Sequence, residues 1–298
     1  MKKIDFRKLS IIIIFLFLTK KVISQNNGYY TSYLNAKKES EKVKVLDVTD
    51  EVIDDSLYSF INLKELRLIE CKIDSIKNDI INLSNLEIVS IRTSQLKFIS
   101  DNLSSLKKIK KIQITGSQLE LLNLNLEPLK KLRVLDFSNN KISNFKLSLP
   151  NSIEYISLFG NNMNYIPNEL FDICSLKTLN LEFNKIKFIS PKINKLVNLQ
   201  KLFLGKNNLS SLPNEIYSLD KMNEFKINNN NLEKIQGKIY KMKSLKLLNL
   251  SKNPLKKIPP LDGLKKTGLK KIIIRNTDIN DKQLQTLKKE LKDTEVIF

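Results

Sequence analysis

The chain repeats one pattern of apolar and polar positions along most of its length. In residues 176–190, LKTLNLEFNKIKFIS, apolar side chains occupy Leu176, Leu179, Leu181 and Ile186, and Asn184 interrupts them. Related stretches form eleven units, which start at Val43, Leu63, Leu86, Ile109, Leu132, Ile153, Leu176, Leu199, Met222, Leu245 and Leu269. Most are spaced by 23 residues. A fixed period of this size is typical of a solenoid, in which each unit forms one coil of a continuous superhelix.

Each unit combines a strand with a return segment. Leu179 and Leu181 alternate with polar residues, which predicts a short strand with one buried face. In the unit before this one, the segment after the strand reads IPNELFDICSL. It places Ile166, Leu170 and Ile173 inward at helix-like spacing. We therefore expect a sheet on one side of the solenoid and a helical or irregular return on the other.

One asparagine recurs at the ninth position of the later units. Buried backbone groups need hydrogen-bond partners, and an asparagine amide offers two donors and one acceptor. We expect the column to be a structural ladder between neighbouring coils, with no catalytic role. It comprises Asn140, Asn161, Asn184, Asn207, Asn230 and Asn253, and Cys71, Ser94 and Ser117 hold the same position in earlier units.

The pattern L-x-x-L-x-L-x-x-N-x-L resembles the leucine-rich repeat family over residues 43–298. The return segments resemble the 23-residue class of that family, with its LPxxIxxLxxL convex side. The resemblance implies an α/β leucine-rich repeat solenoid, a curved horseshoe with a parallel concave sheet and a helical or irregular convex side. It also implies a recognition module, but it names no partner.

The remaining segments are assigned to an export signal and two caps. Residues 1–24 carry a basic start, the apolar run Ile11–Leu18 and small residues before Gln25, which is typical of a signal peptide. Residues 25–42 are expected to form an N-terminal cap, with Tyr30, Tyr33 and Leu34 facing the first strand. Residues 43–279 hold the eleven repeats, and 280–298 form a C-terminal cap, whose helix starts at Asn280 or Asp281.

Composition removes most catalytic chemistry. The 298-residue chain has no histidine, which excludes the histidine-based nucleophilic and metal sites. No glycine-rich phosphate loop follows a strand, and we predict no enzyme activity, cofactor, metal or small-molecule substrate. Cys71 and Cys174 fall in units that place them roughly 20 Å apart, too far for a disulfide.

Charge is unevenly distributed over the positions expected to face outward. The net charge is +20. The first three units mix Lys44, Lys64, Arg67 and Arg92 with five acidic residues, whereas basic residues dominate the last four. These are Lys201, Lys206, Lys226, Lys246, Lys252, Lys271 and Arg275, with Lys270 beside them. The C-terminal half therefore offers a basic surface.

Four aromatic residues fall at outward positions in three consecutive units. They are Tyr155, Phe159, Phe183 and Phe203. Leaving several such side chains in water is costly, and aromatics beside basic residues are typical of interface anchors. We predict that these four residues and the seven basic residues above bind the ligand. Isolated exposed aromatics that merely shield the strands are the alternative.

The favoured function is non-catalytic binding of a protein partner on the concave face of an exported protein. Two other classes stay open. One is binding of an acidic polymer or surface, such as an anionic glycan or nucleic acid, through the basic half. The other is an intracellular signalling scaffold, which would require a cytoplasmic location. A membrane would be contacted only through residues 11–18.

We predict export with cleavage between Ser24 and Gln25, because Val22 and Ser24 occupy the positions that signal peptidase reads. N-terminal sequencing of protein extracted from the native cells should start at Gln25. An intact Met1 in a cytoplasmic fraction would contradict the prediction.

Overall fold

The computed structural model describes residues 27–298, and the predicted export signal lies outside that range. A single parallel sheet of 13 strands runs through the described residues. Within them, no helix is both long enough and apolar enough to span a membrane. The predicted α/β solenoid with a parallel sheet is confirmed.

The strands fall into two groups. The large sheet contains, in spatial order, β1 (Tyr29–Tyr30), β2 (Val45–Thr49), β3 (Glu65–Ile69), β5 (Ile88–Arg92), β7 (Lys111–Thr115), β9 (Val134–Asp136), β11 (Tyr155–Ser157), β12 (Thr178–Asn180), β13 (Lys201–Phe203), β14 (Glu224–Lys226), β15 (Leu247–Asn249), β16 (Lys271–Ile273) and β17 (Glu295–Ile297). On the opposite side lie β4 (Ser75–Ile76), β6 (Phe98–Ile99), β8 (Leu121–Asn125) and β10 (Asn144–Ser148).

Equivalent positions of neighbouring units pair with each other. Leu179, for example, lies between Ile156 and Leu202 in the sheet. These residues are fully buried, because the alternation of the strand directs them into the coil interior. The core is therefore a continuous stack of aliphatic side chains between the large sheet and the return segments.

Short 3₁₀ helices form most of the return segments. They span Ser40–Lys42, Asp55–Ser59, Asn78–Asn82, Asp101–Ser105, Asn168–Asp172, Pro191–Lys195, Asn214–Ser218 and Gly237–Lys241. Residues 27–298 also contain three α-helices: α1 (Tyr33–Lys38), α2 (Leu261–Lys265) and α3 (Asp281–Glu290). A 3₁₀ helix repeats every three residues, which suits apolar pairs such as Ile80 and Leu83.

Two return segments form a strand and no helix. They contain β8 and β10, which pair in parallel over five residues. The shorter strands β4 and β6 pair over two residues, and each is followed by a 3₁₀ helix. In β8, Leu122 and Leu124 are buried and alternate with exposed residues, and Phe145 and Leu147 do the same in β10. This period of two explains why the chain stays extended where the family resemblance suggested a helical or irregular segment.

Both ends of the sheet are covered by apolar side chains. Tyr30 and Tyr33 are buried at the N-terminal end, but Leu34 is 63% exposed, so its predicted inward position is wrong. Tyr33 instead fills the first coil and stacks edge-on against Phe60 at 5.9 Å. At the other end, Asn280 caps α3 by accepting a hydrogen bond from the Gln283 backbone N–H.

The asparagine column connects neighbouring coils from β7 to β15. Asn184 Nδ2 donates to the Leu158 carbonyl of the preceding unit at 2.9 Å and to its own Leu181 carbonyl at 3.1 Å. Its Oδ1 accepts the Met163 backbone N–H at 3.0 Å. The other five asparagines, Asn140, Asn161, Asn207, Asn230 and Asn253, repeat this geometry. One amide therefore satisfies three backbone groups that the bend leaves without sheet partners.

Smaller side chains take over the column in earlier units. Ser94 and Ser117 share a hydrogen bond of 2.8 Å between their hydroxyl groups. Cys71 Sγ lies 3.5 Å from the carbonyls of Val48 and Ile69, and burial raises the pKa of its thiol. Cys71 therefore fills a buried position of the column with a side chain that is only a weak hydrogen-bond donor. Both cysteines are free, and Cys174 is exposed.

The eighth position of every unit adopts a left-handed backbone conformation. Its φ values are close to +55° in nine units, and glycine supplies it in the other two. The column comprises Asp50, Glu70, Thr93, Gly116, Asn139, Gly160, Phe183, Lys206, Asn229, Lys252 and Asn276. Glycine, asparagine and aspartate tolerate this region, whereas a phenylalanine or threonine there carries steric strain of about 1 kcal/mol or more.

We predict that Asn184→Ala lowers the free energy of unfolding by roughly 1–3 kcal/mol, because it strips the partners from buried backbone groups of two coils. Chemical denaturation measures the loss. Asn208→Ala, which changes an exposed asparagine in the next unit, is the control and should unfold like the parent. Equal denaturation midpoints for the two variants would refute the role assigned to the ladder.

Candidate functional site: the concave surface

The predicted aromatic patch divides into a stacked pair and two separate residues. Phe159 follows β11 and Phe183 follows β12, at adjacent columns of neighbouring units. Their ring centroids are 4.8 Å apart, with the rings tilted by 53°. Phe183 is 43% exposed and Phe159 is half-buried, so the pair presents an apolar surface beside the concave sheet.

Tyr155 and Phe203 do not join that pair. Tyr155 lies at the start of β11, four residues before Phe159, which corresponds to about 13 Å along an extended chain. Phe203 lies in the middle of the concave surface, on β13. Both are half-buried. Sequence columns placed all four residues on one side, but the ring contact depends on side-chain directions that the columns do not contain.

Lysine ammonium groups lie over the two phenylalanine faces that open toward the C-terminal half. Lys206 Nζ is 3.8 Å from the Phe183 ring centroid, and Lys226 Nζ is 4.6 Å from that of Phe203. Such cation–π contacts contribute roughly 0.5–1 kcal/mol at exposed sites. They also hold the two lysines against the sheet, so each aromatic ring presents apolar and positive surface together.

Three of the predicted basic residues form ion pairs, so a neighbouring carboxylate offsets their positive charge. Glu224 pairs with Lys226 at 2.7 Å and with Lys201 at 3.5 Å. Lys271 pairs with Glu295 at 3.1 Å.

The other four predicted basic residues have no ion-pair partner among the described residues. Within residues 27–298, Lys206, Lys246, Lys252 and Arg275 have no carboxylate within ion-pair distance. All four are exposed. The structure therefore brings free positive charge to the edges of β13 to β16, and less of it to the strands themselves.

Glu182 is a component that the sequence columns did not single out. Burial raises the pKa of its carboxyl group above the usual value, and Lys226 and Lys206 partly oppose that shift. Its side chain lies over Gly205 of the next unit: a Cβ atom there would be only 2.7 Å from Glu182 Oε1. The sequence signal for this contact was Gly205, which stands between larger residues at the same position of the neighbouring units.

Two residues of the site hold strained backbone. Phe183 and Lys206 have φ values of 57° and 54°, in the left-handed column of the repeat. Asn139 and Asn229 fill the same position in other units without this cost. Glu70, Thr93 and Lys252 hold the same conformation in other units, so the strain is imposed by the repeat and adds to the cost of the side chain that occupies the position.

The arrangement suits binding of a macromolecule better than chemistry on a small molecule. Residues 27–298 contain no group of three or more Asp, Glu or Cys side chains arranged to hold a metal ion. The polar groups of the concave surface are spread over many strands, and from Asp47 to Asn180 they follow one another in a single column. Such a surface can contact an extended partner at several points along the arc.

Comparison with protein families gives one match. A model described as Leucine Rich Repeat matches residues 131–155, which include β9 and the start of β11. No curated protein sequence matches the chain significantly.

Solved structures show the same architecture over most of the chain. A leucine-rich repeat protein of Leptospira interrogans is 23% identical, with a TM-score of 0.55, over 88% of this chain and 74% of its own. An internalin of Listeria monocytogenes is 18% identical, with a TM-score of 0.65, over 88% and 82%. The chain matched in an octameric complex of Latrophilin 3, Unc5D and FLRT2 is 19% identical, with a TM-score of 0.71, over 86% and 83%. The family model identifies a leucine-rich repeat at residues 131–155, and the solved structures show that the chain has the leucine-rich repeat fold over most of its length.

Proposed function

We propose that the protein is a non-catalytic binding module that holds a protein partner on its concave face. The contact is centred on the pair Phe159 and Phe183, with Tyr155 and Phe203 on either side. Lys206 and Lys226 provide positive charge next to the rings. The preferred partner surface is apolar with acidic residues around it.

The observation that carries the proposal is the exposed, strained Phe183. Its ring is 43% exposed, its backbone occupies the left-handed region, and it contacts both Phe159 and Lys206. An asparagine would satisfy the backbone better and would not expose apolar surface to water. A phenylalanine that is unfavourable on both counts is understandable as an anchor that becomes buried in a complex.

The structural neighbours are consistent with this role. The FLRT2 match belongs to a complex with Latrophilin 3 and Unc5D, so this architecture holds protein partners elsewhere. At 19% identity that likeness concerns the fold, and the residues of the contact must come from this chain.

We further propose that residues 1–24 direct export, placing the module at the cell surface, in the periplasm or outside the cell. In this proposal residues 27–42 and 280–298 act as caps. The buried side chains of Tyr30, Tyr33, Leu284 and Leu287 close the ends of the core.

We predict that Phe183→Asn weakens partner binding at least tenfold, a loss of about 2 kcal/mol that is typical of a truncated anchor. Stability should stay within about 1 kcal/mol of the parent, because relief of the left-handed strain offsets the lost ring contacts. The partner is first captured from the native surface fraction and identified. Its affinity is then measured with purified protein, and stability by denaturant titration.

Phe188→Asn is the matched control for this variant. Phe188 is 61% exposed, lies five residues further along the same unit, and belongs to the return segment instead of the concave surface. It should bind the partner as the parent does. Equal losses for both variants, or none for Phe183→Asn, would remove the aromatic pair from the interface.

A second candidate function is binding of an acidic polymer. The observation in its favour is the free charge of Lys246, Lys252 and Arg275, which have no carboxylate partner within residues 27–298. A polyanion would bind through many such contacts, and its affinity would fall steeply with salt.

Charge reversal separates the two functions. We predict that Lys246→Glu, Lys252→Glu and Lys271→Glu combined mainly slow association with the protein partner, because peripheral charges steer encounter. The control combines Lys187→Glu, Lys192→Glu and Lys238→Glu, which lie outside the concave surface and should leave the association rate closer to the parent value. If the concave triple variant abolishes binding while Phe183→Asn binds normally, the acidic-polymer function is the correct one.

A further inference from the structure

A separate depression lies on the concave surface at β3, β5 and β7, outside the aromatic pair. Its volume is about 330 Å³. Ser90 forms the floor, and Ile69 and Ile88 form apolar walls. The charged lining residues are Arg67, Arg92, Lys111 and one acid, Asp47. The depression exists because Ser90, 7% exposed, stands in one column between the long side chains of Arg67 and Gln113. We call it the Ser90 pocket.

Two carboxylates share one guanidinium at the pocket, and one of them, Asp47, belongs to its lining. Arg67 pairs with Glu65 and, at 3.4 Å, with Asp47. The Tyr29 hydroxyl also donates to Asp47, at 2.7 Å. Arg67 therefore serves as a fixed wall held between two carboxylates, and a negatively charged ligand must be attracted by the other cations of the pocket.

The other two cations are uncompensated. Arg92 Nη2 donates only to the neutral Gln113 Oε1, at 3.3 Å, which leaves most of its five N–H donors free. Lys111 Nζ has neither a hydrogen bond nor an ion pair with any group in residues 27–298. Both side chains line the same pocket, so two positive charges face one small space.

A hydrogen-bond chain fixes the floor of the pocket. Ser90 Oγ donates to Gln113 Oε1 at 3.2 Å, and Gln113 Nε2 donates to Asp136 Oδ2 at 3.1 Å. The amide of Gln113 is thereby oriented with its oxygen toward Ser90 and Arg92. Arg92 is held at the rim by that oxygen while its remaining donors stay available.

We propose that the Ser90 pocket binds a carboxylate on a short aliphatic stem, the side chain of a glutamate or aspartate. Arg92 offers a planar fork that matches the two carboxylate oxygens, and Lys111 adds a second cation. Ile69 and Ile88 contact the methylene groups of the stem, which an inorganic anion lacks. The pocket is thus a second recognition point, specific for an acidic residue of an extended ligand.

Side-chain NMR of the full chain tests the proposal with small ligands. The Arg92 Nε–Hε signal is followed during titration with N-acetyl-glutamate amide, N-acetyl-glutamine amide or sulfate at matched ionic strength. We expect a saturable shift with the glutamate ligand, none with the isosteric glutamine ligand, and weaker binding of sulfate. A shift that does not saturate, or that appears equally at all arginine signals, overturns the proposal. Sulfate binding as tight as glutamate overturns the role of the stem.

Two variants assign the binding to the pocket. Lys111→Gln should weaken the glutamate ligand roughly fivefold or more, the effect of losing one charged hydrogen bond. Lys246→Gln removes an equally unpaired lysine outside the pocket and should leave the affinity unchanged. Similar affinities in the two variants would overturn the assignment. No protein partner enters this measurement, so its outcome is independent of the capture experiment at Phe183.

Discussion

The hydrogen bonds of a buried asparagine in six successive coils are the constraint on which the rest of the structure depends. A chain that bends sharply after each short strand leaves carbonyl and N–H groups inside the molecule, where unpaired groups are costly. Asn184 satisfies two carbonyls and one N–H, and in doing so it joins its own coil to the preceding one. With the bend fixed in this way, each strand must stack in register on its neighbour.

The binding surface follows from that register. Because equivalent positions pair across the whole sheet, a residue at a given column has fixed neighbours one coil before and after it. Phe159 and Phe183 come into contact since one lies a column before the other in adjacent units. Ser90 forms a floor because the residues beside it in its column are long. The scaffold supplies positions, and the side chains at outward columns supply specificity.

The sequence contains most of the fold but only part of the site. Apolar periodicity located the strands and the core, since Leu179 or Leu202 can occupy only the buried side of its strand. The family resemblance suggested helical or irregular returns throughout, and it obscured the strand alternation of Leu122 and Leu124. That alternation is visible in the sequence once it is considered by itself.

The missed features of the site have physical reasons. Lysine and phenylalanine at the eighth position conceal a left-handed turn that Gly116, Gly160 and Asn139 would have indicated from the same column. Ion pairs such as that of Lys226 with Glu224 depend on side-chain rotamers, which cannot be read from the position of a residue in the repeat. The Ser90 pocket is a difference in side-chain length between coils, so only the stacked coils reveal it.

The paired strands β8 and β10 have a consequence for the shape of the arc. A coil is wedge-shaped when its outer side is wider than its inner side, and a stack of wedges curves. Hydrogen-bonded strands lie about 4.8 Å apart, and the coils of β8 and β10 have this spacing on both sides, so these two coils stack without a wedge between them. The Ser90 pocket and the aromatic pair lie on either side of these two coils, and the strands β7 and β11 nearest to them are roughly 10 Å apart. A short extended segment of a ligand, about three or four residues long, therefore covers the distance between both places.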